Sequence, residues 1–277
     1  METKYDTIVL SGGAVNGLVM FGSIEYLIDK NMLTDLKTYI GTSIGSIICY
    51  FLSIGYTPKE ILVLVCTDYV LFDHMKKFSI LKLLKGEGAT SFKPVEDLLI
   101  KITVEKIGKR LTLKEVFDRF GKTLVFVTFN LTQNKTEYLS YLTYPDLDCL
   151  DAIRMSSNMP FIFEEFKYNG YSYVDGFVYN NFPIDIAKDF GKNTIGIYII
   201  DDLSITTKKP IEFIYKLYYI QYREVIRYKL TNVLENTLVI PIKPSKKVFC
   251  DFNLTLNDKL EMFSHGYSQA KERFVNQ

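Results

Sequence analysis

Gly41-Thr42-Ser43-Ile44-Gly45 stands between a strand-like run, Leu36–Ile40, and a helix-like run in which Ile44, Ile47, Ile48, Phe51 and Leu52 recur at helical spacing. This is a G-x-S-x-G pentapeptide. It acts as a nucleophile elbow only where a strand turns sharply into a helix and presents the serine hydroxyl at the turn. Gly41 and Gly45 relieve the crowding that such a turn creates. The same residues also read as a small-residue turn that contains a serine, so the pentapeptide alone leaves both readings open.

Working outward, Thr7–Leu10 forms a short buried-strand candidate and runs straight into Ser11-Gly12-Gly13-Ala14-Val15-Asn16-Gly17. A helix follows, with Leu18, Phe21, Ile24, Leu27 and Ile28 on one face. Further on, Thr57-Pro58-Lys59-Glu60 and Thr112-Leu113-Lys114-Glu115 are helix starts with capping boxes. Residues 123–131 are near-continuously apolar, as in a strand covered on both faces. A helix is expected over about 146–157 and another central strand over 195–200. Alternating strands and helices predict an α/β fold, a three-layer sandwich around a largely parallel sheet. After about residue 205 the alternation weakens into a long helix (209–235), a strand (238–242) and a last helix (258–273).

Composition narrows the function. The 277 residues carry a formal net charge of +1, which excludes the basic footprint of a nucleic-acid binder. The four cysteines, Cys49, Cys66, Cys149 and Cys250, are widely spaced with no C-x-x-C pair, which argues against a metal site and for reduced thiols in a cytoplasmic protein. Apolar stretches near 44–56 and 61–72 are broken before reaching the roughly 18 residues of a membrane span, so any membrane contact is expected at the surface.

Two readings compete for the glycine loop at 11–17: a dinucleotide cradle and an oxyanion hole. The dinucleotide fingerprint needs glycine at position 14, which is Ala14, and the second strand ends in Gly-Thr-Ser rather than an acidic residue. The oxyanion reading fits better, because in a parallel sheet this loop and the Ser43 turn share one carboxyl edge. Ser43 needs a base. The chain has two histidines, His74 and His265, and neither lies at a glycine-flanked strand end. The chain order Ser43, Asp175, His265 nevertheless matches that of an α/β-hydrolase triad. Asp175, in Tyr173-Val174-Asp175-Gly176-Phe177, ends an apolar strand and leads into an apolar loop rather than a plain hairpin.

Together these segments resemble the patatin-like phospholipases, acyl hydrolases built on a serine–aspartate dyad. The likeness rests on the loop at 11–17, the elbow at 41–45 and the Asp-Gly pair at 175–176. Connecting stretches match as well: Gly121-Lys122-Thr123 into a strand ending Asn130-Leu131-Thr132, then Ala152 to Pro160 with Phe163, then Asn181-Phe182-Pro183. The resemblance covers about residues 5–200, taken as the catalytic domain, with 201–277 as a mostly helical extension packed on or beside it.

The resemblance implies that Ser43 is the nucleophile and Asp175 a base bonded directly to it. Gly12 and Gly13, with Ala14 alongside, would supply oxyanion N–H groups, and Gly17, Gly41, Gly45 and Gly176 complete the motifs. It implies a phospholipase A or lysophospholipase-like reaction through an acyl-enzyme, with a lipid substrate at a membrane surface and no metal or cofactor. The chain departs from the family at Ala14, where a third glycine is usual, and at Asn16, where a cation is usual. A silent lipid-binding member and a His265-dependent esterase are the alternatives. The apolar run from Leu62 through Val65, Tyr69 and Phe72 to Leu84 is a candidate acyl channel or ordinary core. Phe213, Ile214, Leu217, Tyr218, Ile220 and Tyr222, interleaved with Lys216, Arg223, Arg227 and Lys229, are a candidate interfacial face.

Overall fold

The computed structural model describes residues 3–67, 88–200, 210–245 and 254–275. Residues 69–84 of the expected acyl channel, His74 and Cys250 lie outside them, as does the side chain of Ile214.

An eight-stranded sheet forms the centre. Its strands are β1 (Thr7–Leu10), β2 (Thr38–Thr42), β3 (Thr123–Asn130), β4 (Lys135–Leu139), β5 (Phe166–Tyr168), β6 (Tyr171–Asp175), β7 (Thr194–Ile199) and β8 (Thr237–Ile242). They run in the order β5-β6-β3-β2-β1-β7-β8, with β4 also paired to β3. From β3 through β2, β1 and β7 to β8 all pairings are parallel, whereas β4, β5 and β6 pair antiparallel. The expected α/β architecture and largely parallel sheet are thus present. β2 begins later than the expected Leu36 and carries Gly41 and Thr42 within the strand.

Strand alternation divides the core into two layers. Ile8, Leu10, Tyr39, Phe126 and Ile197 face one side, where they pack with α1 (Gly17–Asp29) and α2 (Ile44–Ser53). That side also holds α3 (Pro58–Thr67), α4 (Lys93–Ile107), α5 (Leu113–Phe120) and α6 (Cys149–Ser156). Val9, Ile40 and Val125 face the other side, under Phe182, Ile184 and Ile226. The short α7 (Phe177–Asn180) follows β6. Ile226 belongs to α8 (Pro210–Thr231), and α9 (Leu256–Val275) closes the first layer against α1. Both expected capping boxes are formed: Glu60 N–H donates to Thr57 Oγ1 and Thr57 N–H to Glu60 Oε2, with the same reciprocal pair at Thr112 and Glu115.

Register explains how the sheet brings distant segments together. Phe126 to Asn130 of β3 pair with β4 along one edge. β2 and β6 therefore share the other edge, β2 opposite residues 123–127 and β6 opposite 128–130. Thr42 lies opposite Val127 and Asp175 opposite Thr128, so the strand that ends at Asp175 takes over the edge of β3 where β2 turns away at Ser43.

Candidate active site

Ser43 occupies the turn between β2 and α2 with φ 56° and ψ −125°, a left-handed conformation that costs a non-glycine residue of order 1–3 kcal/mol and recurs at functional sites. The turn is over-determined by its surroundings. A Cβ on Gly41 would lie 2.5 Å from the Gly45 carbonyl carbon, and one on Gly45 would lie 2.5 Å from Leu10 O. Only glycine at both positions lets α2 start against the end of β1. Ser43 N–H donates to Ser156 Oγ (3.1 Å), whose own hydroxyl donates to Val127 O (2.6 Å) and contacts Ser46 Oγ (2.7 Å). Thr42 Oγ1 donates to Asn180 O (2.9 Å).

Asp175 is 1% exposed and Ser43 6%. Phe177 N–H donates to Asp175 Oδ1 (2.8 Å). The Ser43 hydroxyl faces the carboxyl closely enough to hold its pKa down, yet it sits outside full hydrogen-bond geometry, and Oδ2 has no closed partner. Such pairs are often loose before substrate binds. Burial outweighs both polar contacts and pushes the Asp175 pKa from the ordinary 3.8 up to about 7. Gly176 must be small, because a Cβ there would collide with Val127 O. Asp175 N–H donates to Asn158 O (2.9 Å), and Asn158 Oδ1 accepts from Arg154 Nη1 (2.6 Å). Arg154 is itself packed among Phe92, Phe163 and Phe166.

The glycine loop lies beside the elbow, as the adjacent parallel β1 and β2 require. Gly12 N–H donates to Asn181 O (3.1 Å), and a Cβ on Gly12 would collide with Asn181 Oδ1. Among the described residues, the N–H groups of Gly13 and Ala14 donate to no protein acceptor. Ala14 adopts φ 48°, so it takes the conformation a glycine would favour at that position. Gly17 opens α1 and leaves room for the Ile44 side chain. Asn16 is 4% exposed with Oδ1 unpartnered, a neutral amide at the position where the resemblance leads to the expectation of a cation.

An apolar cavity of about 170 Å³ reaches Ser43 and Ala14. Its walls come from α1, α2 and α3, from Val95, Leu99 and Ile102 of α4, and from Met159 and Phe163. Of the expected channel residues that are described, Val65 lines the cavity and Leu62 is buried. The apolar spacing of Val95, Leu98, Leu99 and Ile102 gives α4 an apolar face, but periodicity does not reveal what a face encloses. His265 lies on α9, the helix packed against α1, and makes no described hydrogen bond to Ser43 or Asp175. The expected interfacial face divides: Phe213, Leu217 and Ile220 are exposed, whereas the Tyr222 hydroxyl is buried and the Lys229 side chain is only 11% exposed. Tyr222 and Lys229 therefore do not belong to a surface face, because α8 lays them against the loop that follows Asp175. Among the described residues, no single helix is long and apolar enough to cross a membrane.

A largely parallel α/β sheet with a serine turn, a neighbouring glycine loop and a buried strand-end aspartate defines the broad class, an α/β protein with its candidate site where β1, β2 and β6 end. The sequence places it more closely. The patatin-like phospholipase family model matches residues 8–188, and the chain belongs to that family of lipid hydrolases. It is 37% identical to the probable lipid hydrolase 463L of Invertebrate iridescent virus 6 over 223 residues, covering 76% of this chain and 75% of that one. It is 28% identical to the uncharacterized protein YqhO of Bacillus subtilis, covering 97% of each. VipD from Legionella pneumophila has the same fold, with a TM-score of 0.57 at 14% identity over 99% of this chain and 67% of that one. ExoU from Pseudomonas aeruginosa is similar with a TM-score of 0.54 at 16% identity, covering 99% of this chain and 52% of that one.

Proposed function

We propose that this protein is a lipid acyl hydrolase of phospholipase A or lysophospholipase type, acting through a Ser43–Asp175 dyad and an acyl-enzyme. The observation that carries the reading is the buried Asp175 facing Ser43 on the strained elbow, at the wall of an apolar cavity. Asp175 accepts the Ser43 proton as Oγ attacks the ester carbonyl carbon. The tetrahedral oxyanion is held by the unengaged N–H groups of Gly13 and Ala14, each such donor being worth roughly 100- to 1,000-fold in rate. Gly12, its amide committed to Asn181, shapes the loop. The C–O bond breaks, and the proton on Asp175 passes to the leaving alcohol or lysolipid. Water then attacks the acyl-serine and gives a proton to Asp175, and collapse returns that proton to Ser43 and releases the fatty acid.

A pKa near 7 suits this role, because a base works best when its pKa is close to the working pH. The cavity takes the acyl chain, and a membrane or micelle surface in the cytoplasm supplies the lipid. The test is turnover of nitrophenyl acyl esters and labelling by an alkyl fluorophosphonate located by peptide mass spectrometry. Both are expected in the wild type and absent in Ser43→Ala. Equal turnover in the two proteins overturns the hydrolase reading.

A further inference from the structure

We infer that Lys229, on α8 and outside the residues matched by the family model, is a positioning residue that holds the serine elbow and the glycine loop in register through Asn180–Phe182. The inference deepens the proposed function and rests on it for its kinetic readout.

Asn180-Asn181-Phe182 is the piece of chain on which the site's parts converge. It follows Asp175 directly through α7. Asn180 O accepts the hydroxyl of Thr42, the residue before the nucleophile (2.9 Å). Asn181 O accepts the N–H of Gly12 (3.1 Å), and the Asn181 side chain lies against the Gly12 Cα. A shift of this segment therefore moves the elbow and the oxyanion loop relative to one another.

Lys229 is what holds the segment from the other side. Its Nζ donates to Asn180 Oδ1 (2.5 Å) and to Phe182 O (3.1 Å), and it pairs with Asp185. Three acceptors satisfy the three protons of an ammonium, and the side chain is 11% exposed. Seven residues earlier, two helical turns along α8, the buried Tyr222 hydroxyl lies beside Asn181 and Ser11, so the same helix face backs both ends of the contact. A lysine placed only for solubility would point outward, as lysines mostly do. Burying it beside one carboxylate and two neutral oxygens costs desolvation, which here lowers its pKa despite Asp185.

The test uses the full chain with Lys229→Met and, as a neutral variant that retains a donor, Lys229→Gln. Active sites are counted with an alkyl fluorophosphonate, and kcat is expressed per titrated site on a nitrophenyl ester. Expected are a fall in kcat of about 10- to 100-fold for Met and a smaller one for Gln, with KM within about twofold, because small misplacements of reacting groups cost rate rather than binding. Amide hydrogen exchange gives a readout independent of turnover: peptides covering 11–17 and 41–45 should exchange faster in both variants. A folded variant with wild-type kcat per site and unchanged exchange in both loops overturns the proposal, as does a lowered melting temperature with those two readouts unmoved. An inactive, unlabelled wild type would instead refute the hydrolase reading, and the exchange experiment would still decide the role of Lys229.

Discussion

Asp175→Asn should abolish ester turnover and at the same time stabilise the protein, by an amount that depends on pH. The side chains have the same shape, and an amide oxygen can still accept the Phe177 N–H that Asp175 accepts at 2.8 Å. What changes is the charge. Burial raises the Asp175 pKa from 3.8 to about 7, so between those values the native state keeps a proton that the unfolded chain has already released. Stability then falls as pH rises through this window, and above pH 7 the whole penalty is present. About three pH units at ~1.4 kcal/mol each set an upper value of about 4 kcal/mol, and relaxation around the charge makes about 2–4 kcal/mol the expected gain for the variant at pH 8.5. For a chain of this length that is about 4–8 °C in melting temperature. At pH 4 wild type and variant should melt close together, since both then carry a neutral group at this position. Melting curves at pH 4, 6, 7 and 8.5 read the effect directly, and the wild-type kcat/KM should rise with pH through about 7 as the base form appears. A variant no more stable than wild type at pH 8.5, or one with a pH-independent offset, would show that burial does not control this carboxyl.

Other perturbations probe the loop, the cavity and the helix packing. Ala14→Gly should stabilise by about 0.5–1 kcal/mol and keep activity, because it relieves φ 48°, whereas Ala14→Val should lower kcat at least tenfold; denaturant midpoints and initial rates separate the two effects. Val95→Phe fills part of the 170 Å³ cavity and should cut kcat/KM on decanoyl and longer esters about tenfold relative to butyryl, because each excluded methylene forfeits roughly 0.8 kcal/mol; an unchanged chain-length profile would place the acyl chain elsewhere. Gly266→Ala puts a Cβ into Val19 O where α9 crosses α1, a backbone atom that cannot swing aside, and should cost more than about 3 kcal/mol in denaturant unfolding.

The parts of the site that the sequence announced are those whose chemistry is local. The elbow, the glycine loop and Asp175-Gly176 each combine a strand end with glycines that the turn itself requires. Helices with their own caps, at Thr57 and Thr112, were equally readable. What escaped depends on distant partners. The antiparallel β4 and β5 are short and partly exposed, and their place is set by β3 and β6 rather than by their own pattern. Asn180 and Asn181 read as loop residues, since nothing in their own sequence shows that Thr42 and Gly12 use their carbonyls. Lys229 looked like a surface charge because a helix pattern gives the period of a face but not the acceptors beneath it. The apolar run from Leu62 to Leu84 offers an acyl channel or ordinary core, and of its described part Val65 joins a wall that comes mostly from α1, α2 and α4.

In the proposed dyad, the antiparallel strand β6 connects the fold to the choice of Asp175 as base. A histidine base on a surface loop needs a third residue to orient it and tolerates water, since imidazole titrates near neutrality unaided. An aspartate in water titrates near 3.9 and is too weak a base at neutral pH. It must be desolvated to serve, and a desolvated carboxylate must be aimed by backbone rather than by solvent. Inserting β6 beside β3, on the edge that β2 vacates at Ser43, meets both demands. The strand fixes Asp175 opposite Thr128, whose hydroxyl holds the adjoining Val174 carbonyl (2.9 Å), while Asn158 holds its N–H. Asp175 is buried there, and burial carries its pKa to about 7. On this reading the strain at Ser43 and the buried charge at Asp175 have one cause, two chain segments forced to end on adjacent rungs of a single strand. A change that loosens β6 from β3 should therefore lower the Asp175 pKa and the rate together, since one contact governs both.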